Sequence, residues 1–187
     1  MYKTLNSTIF KNSTILTNEK SLVLCNLTNI SSNKSWTLLY QASRDGFKAS
    51  DFHSKVNGIQ GTLTIIKTVD NFVFGGYTEA DWGSNSYQLD QNSFIFSLIN
   101  NYNIPVKMNI KQNYYAIVAY SYYGPTFGQG YDFYISDLSN ANTNSYSYIN
   151  SFELPSFASS TSLLANSYNF KTFEIEVYSV NIDRKFF

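Results

Sequence analysis

The chain has 187 residues, 43% of them hydrophobic, with 13 basic and 13 acidic side chains and therefore no net charge. That length supports one well-buried core and is short for two. A neutral chain makes no long-range field to gather phosphates or anionic lipid, so neither nucleic acid nor a polybasic membrane contact is expected. Cys25 is the only cysteine, which excludes an intrachain disulfide and fits a reducing compartment, so a cytoplasmic location is expected. The longest apolar run near the N-terminus, Leu22–Cys25, is too short for a signal segment or a membrane span, so no direct membrane insertion is expected. Aromatic residues reach 18%, with 16 Tyr and 15 Phe, and these types favour a pleated, half-buried surface.

In chain order, residues 1–12 read as a polar leader. Thr17 and Asn18 suit a helix N-cap, Glu19 suits the first turn, and Val23, Leu24 and Leu27 fall at helical spacing, predicting a helix over 18–27. Residues 29–34 form a loop, and Trp36–Tyr40 a strand. Arg44-Asp45-Gly46 reads as a tight turn with Gly46 at positive φ and Phe47 anchoring its exit. Ser50 is expected to cap a short helix that carries Phe52 and Val56 and closes at Asn57-Gly58.

The clearest local signal follows. Leu63 and Ile65 alternate with Thr62 and Thr64, the chain turns at Asp70-Asn71 and resumes at Phe72-Val73-Phe74, which predicts a hairpin. Gly75-Gly76 reads as a bulge or bend after that strand. Phe94, Phe96 and Leu98 share one strand face, and residues 114–120 read as a strand covered on both sides. Residues 132–136 and 173–180 are further strands. In the last, Phe173, Ile175 and Val177 point one way while Glu174 and Glu176 form a solvated face. The Gly124–Gly130 stretch, with Gly124 and Gly128, precedes a strand and not a helix, so it is a shaped connection and not a phosphate loop. Residues 140–150 read as a long mobile loop. The fold class expected is α+β and β-rich, with two antiparallel sheets packed as a β-sandwich and short flanking helices.

Several ordered motifs carry a family resemblance. WTLLYQASRDGF from Trp36, DFHSK from Asp51, TLTIIKT from Thr62 and FGGYTEADW from Phe74 resemble the TLDc domain, as do NSFIFSL from Asn92, YGPTFGQGYDFYISD from Tyr123 and YNFKTFEIEVY from Tyr168. The resemblance covers residues 13–178, leaving 179–187 as a tail. It implies a β-sandwich, a role in protection against oxidative stress and, for some relatives, binding to the peripheral sector of the vacuolar proton-pumping ATPase. It attaches no secure enzymatic reaction to the fold, and no cofactor.

The candidate chemistry is sparse. His53 is the only histidine, and its expected role is structural, with partner binding and catalysis as alternatives. One His and one Cys cannot build an ordinary zinc site, and no EF-hand spacing occurs, so no metal is expected. Cys25 lies among apolar neighbours, where a thiol is inert. The remaining candidates for contact with a protein partner are Arg44, Asp45, Glu79, Glu174 and Glu176. A binding module without catalytic residues is the expected function, with a weak enzyme or direct antioxidant using His53 or Cys25 as the alternative; the oligomeric state is left open.

Overall fold

The computed structural model describes residues 9–32, 36–112 and 114–180. Helix α1 (Asn18–Thr28) begins at Thr17, whose side chain accepts the Lys20 amide, and ends at Asn29 in the left-handed conformation. Strand β1 (Trp36–Gln41) leads into α2 (Ala42–Asp45) and α3 (Ala49–Val56). Then come β2 (Thr62–Thr68), β3 (Val73–Thr78), β4 (Tyr87–Leu89), β5 (Phe94–Ile99), β6 (Val106–Asn109) and β7 (Tyr115–Val118). Short strands β8 (Thr126–Phe127), β9 (Phe133–Tyr134), β10 (Ser145–Ser147) and β11 (Asn169–Phe170) precede the long β12 (Thr172–Val180).

These strands make two six-stranded sheets, in the orders β1-β12-β2-β3-β5-β6 and β11-β10-β9-β8-β7-β4. Every strand pairing is antiparallel, so the expected sandwich is the observed one. The core between the sheets gathers Phe74, Ile95 and Val177 from the first sheet, Ile117, Phe127 and Phe133 from the second, and Phe52 and Val56 from α3. A second core lies on the other side of the first sheet. There Leu63, Ile65, Phe94, Phe96, Leu98 and Tyr178 are covered by Leu24 and Cys25 of α1 and by Phe10, Ile15 and Leu16 of the N-terminal segment.

The first sheet is thus an inner layer, buried on both faces, and several sequence expectations change because of it. In β2 the threonines are as deeply buried as Leu63 and Ile65; Thr62 faces the inter-sheet core and accepts the Trp82 indole N–H at 3.0 Å. Glu174 and Glu176, expected on a solvated face, are buried: Ser13 and Thr14 of the N-terminal segment bond Glu176, and Ser43 at the start of α2 bonds Glu174. A register shift between Thr172 and Glu174 puts Phe173 out to solvent instead, 59% exposed. Phe10 belongs to the core and not to a leader: it bridges Trp36 and packs its ring on Tyr178, with centroids 5.1 Å apart. Ser179 and Val180, placed in a tail by the sequence, still belong to β12.

Local expectations also shift. In α1 the buried residues are Ser21, Leu24, Cys25 and Thr28, and Val23 is exposed. Arg44 and Asp45 lie in the single helical turn α2, after which Gly46 takes φ +113° as expected. Helix α3 starts at Lys48, whose amide is accepted by Asp51 at 3.0 Å, and Ser50 is not its cap. Gly75 and Gly76 are mid-strand residues of β3, not a bend. A Cβ at Gly75 would strike the Thr64 carbonyl, and one at Gly76 would come within 2.6 Å of the Phe127 ring. The expected mobile loop over 140–150 contains β10, paired on both sides, and the strand expected over 132–136 shortens to β9. Of the loop over 29–34, residues 33 and 34 lie outside the described residues.

Candidate functional site

Three of the sequence candidates meet at one end of the sandwich. Arg44 donates from Nη2 to Asp45 Oδ2 at 2.6 Å and to the Leu39 carbonyl at 3.2 Å. Asp45 Oδ2 accepts the Gln41 amide at 3.0 Å, and Lys55 Nζ stands 3.8 Å from Oδ1. The hydrogen bond from Arg44 holds the Asp45 carboxyl below the usual carboxylate range. Glu174 reaches the same turn from β12: its Oε1 accepts the Ser43 amide at the start of α2 and its own strand's Ile175 amide, both at 3.0 Å. Behind Gly46, the Tyr40 hydroxyl donates to its carbonyl at 2.7 Å, and any side chain there would collide with Asp51.

Beside this turn lies an open cleft of about 570 Å³, lined by Ser43, Phe47, Val69, Lys171, Phe173 and Glu174. Its walls mix apolar rings with one cation and one buried carboxylate. Lys67 Nζ sits 5.1 Å from the centroid of the exposed Phe173 ring. The Glu174 carboxylate that lines the cleft is already engaged with two backbone amides, which suits a structural cap better than a general base.

The other candidates lie elsewhere. Glu176 is enclosed beneath the N-terminal segment and accepts from the Ser13 hydroxyl, the Thr14 amide and hydroxyl, and the Tyr178 hydroxyl. Glu79 is exposed next to β3 and accepts the Asn92 side-chain amide at 3.0 Å. His53 is buried on α3. Its Nε2 lies 3.1 Å from both the Tyr120 and Tyr123 carbonyls, and its Nδ1 lies 2.8 Å from the Asn57 side-chain amide. Carbonyls only accept, so Nε2 carries a proton and ties α3 to the 120–123 turn. These contacts bring it neither a carboxylate nor a nucleophile, and a triad needs both. Cys25 is buried, and burial pushes its thiol up to about 11, far from a reactive thiolate. Among the described residues, no group of three or more His, Cys, Asp or Glu is placed to hold a metal ion. Among them, too, no helix is long and apolar enough to cross a membrane.

Two features were not singled out from the sequence. Asp132 is fully buried, and its Oδ1 accepts the amides of Asn150, Ser151 and Phe152 at 2.7, 2.7 and 3.1 Å. Burial raises this carboxyl despite those bonds, and its Oδ2 has no hydrogen-bond partner. The second feature is a run of touching tyrosine rings over the second sheet. Its only sequence signal is tyrosine density, since the rings come from four strands and the turns between them.

Individually curated proteins give no match to this chain. The sequence profile of the TLDc domain matches residues 9–181, which takes in both Phe10 under the first sheet and the full length of β12. The sandwich, the motifs and that match agree, and the chain belongs to the TLDc domain family.

Proposed function

We propose that this chain is a non-enzymatic interaction and regulatory module in protection against oxidative stress. Its proposed partner is the peripheral sector of the vacuolar proton-pumping ATPase, contacted from the cytoplasm. Family membership supports the link to oxidative stress. One structural observation supports binding over chemistry. The groups that might do chemistry, His53, Cys25, Glu174 and Glu176, are buried or engaged in internal bonds, while the ring of Phe173 faces solvent in the cleft and the charged Arg44 is exposed on the neighbouring turn. A surface that pairs exposed aromatic and cationic groups is the kind that anchors a protein partner.

The test is retention of purified pump peripheral sector on the immobilised chain, paired with an assembly assay. Wild type should retain the sector and change its assembly, and Arg44→Glu with Phe173→Ser should do neither while remaining folded by near-UV circular dichroism. No retention by wild type rejects this partner. Peroxide consumption by wild type, His53→Ala and Cys25→Ser addresses the enzymatic alternative: equal background turnover in all three supports the module, and activity lost with either residue overturns it.

A further inference from the structure

The tyrosines of the second sheet form one connected path. Tyr168, before β11, stacks on Tyr146 of β10 at 5.2 Å between centroids, and Tyr146 meets Tyr134 of β9 at 5.4 Å. Tyr134 touches both Tyr123 at 4.8 Å and Tyr131 at 6.2 Å. Tyr131 passes the contact to Tyr87 of β4, with centroids 6.5 Å apart and the two hydroxyls 3.3 Å apart. Tyr87 meets Tyr115 of β7 at 5.4 Å, and a branch through Tyr120 reaches Tyr122, stacked at 5.5 Å. The path therefore runs from one edge of the sheet to the other. Its ends, Tyr168, Tyr115 and Tyr122, are 45%, 37% and 59% exposed, and the rings between them are half-buried.

Packing alone does not require phenols. A row of phenylalanines would bury more apolar surface, and the Tyr87–Tyr131 contact spends a hydroxyl pair on the neighbour rather than on the core. Nor is this a sugar platform: edge-on contacts such as Tyr123–Tyr134 at 79° and Tyr123–Tyr131 at 74° close the rings on one another instead of laying them flat to solvent. Phenol is, however, an aromatic side chain that gives up one electron and one proton together, and rings in van der Waals contact exchange electrons readily. Burial raises the Tyr134 phenol and pushes that of Tyr146 up to about 12, so oxidation of either must release a proton.

We propose that this row is a one-electron relay that quenches oxygen-centred radicals. A peroxyl radical takes a hydrogen atom from one phenol, becoming a hydroperoxide and leaving a tyrosyl radical. The neighbouring phenol then supplies an electron to that radical, and its proton follows, directly between Tyr87 and Tyr131 and through solvent elsewhere, so the radical moves one ring along. At an exposed end, a small hydrogen donor of the ascorbate or thiol class returns one hydrogen atom and restores the phenol. Without such a donor, radicals at exposed ends of two chains couple through their ortho ring carbons, and each ring's ortho proton moves to its own oxygen, restoring the phenol, to give dityrosine. This goes beyond the interaction module proposed above and does not depend on its partner.

All contacts described from Tyr168 to the far side pass through Tyr146 and then Tyr134, which makes the relay testable by interruption. A ruthenium photo-oxidant is attached at Asn169→Cys in a Cys25→Ala background, flashed with persulfate, and tyrosyl radicals are captured with a nitroso spin trap and mapped by peptide mass spectrometry. The relay predicts adducts at Tyr115 and Tyr122 in the uninterrupted chain. It predicts their loss in Tyr134→Phe, with adducts confined to Tyr146 and Tyr168, and confinement to Tyr168 in Tyr146→Phe. Tyr148→Phe, exposed and outside the row, should leave the pattern unchanged, and near-UV circular dichroism verifies that each variant is folded. Adducts at Tyr115 that survive both interruptions, or none beyond Tyr146 in the uninterrupted chain, overturn the proposal.

Discussion

The carboxylate of Glu176 accepts the hydroxyl of Ser13 at 2.6 Å, joining the last strand to the first described segment. The same carboxylate takes the Thr14 amide at 2.6 Å and the Tyr178 hydroxyl at 3.0 Å. A buried charge is tolerated only with such a set of donors, so its function is to hold residues 10–16 over the outer face of the first sheet. Glu176→Ala is expected to cost about 3 kcal/mol in urea unfolding, because it strands buried donors as well as removing bonds. Glu176→Gln keeps one acceptor and should cost less. Limited proteolysis of the alanine variant should cut first within residues 9–16; cleavage no faster than in wild type would mean that the aromatic contacts of Phe10 suffice.

Gly75 and Gly76 sit side by side in β3 and exclude side chains for different reasons. Beside Gly75 is the Thr64 backbone carbonyl, which cannot move without breaking the β2–β3 ladder; beside Gly76 is the Phe127 ring of the opposite sheet. Gly76→Ala is expected to lose about 1–3 kcal/mol as the ring is displaced. Gly75→Ala should lose more. Melting temperatures of the two variants check the order, and a reversed order would place the tighter contact between the sheets.

These examples also show what was legible in the sequence. The β2–β3 hairpin was plain because Leu63 and Ile65 alternate around an Asp-Asn turn, and Asn71 does adopt φ +68°. Alternation identifies two faces of a strand but not what covers them. Glu174 and Glu176 were therefore assigned to solvent, although Ser13 and Thr14 cover Glu176 and Ser43 bonds Glu174 from far earlier in the chain, where no local pattern announces it. Scarcity alone singled out His53, the one histidine, while its bonds to the Tyr120 and Tyr123 carbonyls are long-range contacts that no local pattern announces. The Arg44–Asp45 turn was visible as a motif, but its link to Glu174 is a long-range bond. The tyrosine row was invisible for the same reason: composition reveals the rings, and only strand order reveals that they touch.

Cys25 offers a direct check on the outer core. With its thiol pushed up to about 11 by burial, about one molecule in 10,000 carries the thiolate at neutral pH. Native protein should react with a disulfide reagent far more slowly than urea-unfolded protein, which should release one equivalent promptly. Rapid labelling of the folded chain would show that α1 separates readily from the sheet.

Two aspartates give opposite pH signatures. Hydrogen bonding from Arg44 lowers the Asp45 carboxyl, so the folded state binds fewer protons there than the unfolded chain, whose aspartates titrate near about 3.9. Its stabilisation is complete above that value and is lost as pH falls through the lowered one. Burial raises Asp132, so there the folded state holds the proton longer, and stability declines as pH rises from about 3.9 through the raised value. Urea midpoints of wild type, Asp45→Asn and Asp132→Asn, measured from about pH 2 to about pH 7, separate the two. The wild-type advantage over Asp45→Asn should grow with pH, and its advantage over Asp132→Asn should shrink. Slopes of the same sign would mean that the three amides on Asp132 Oδ1 outweigh its burial, and that this carboxyl is an anionic clamp and not a protonated one.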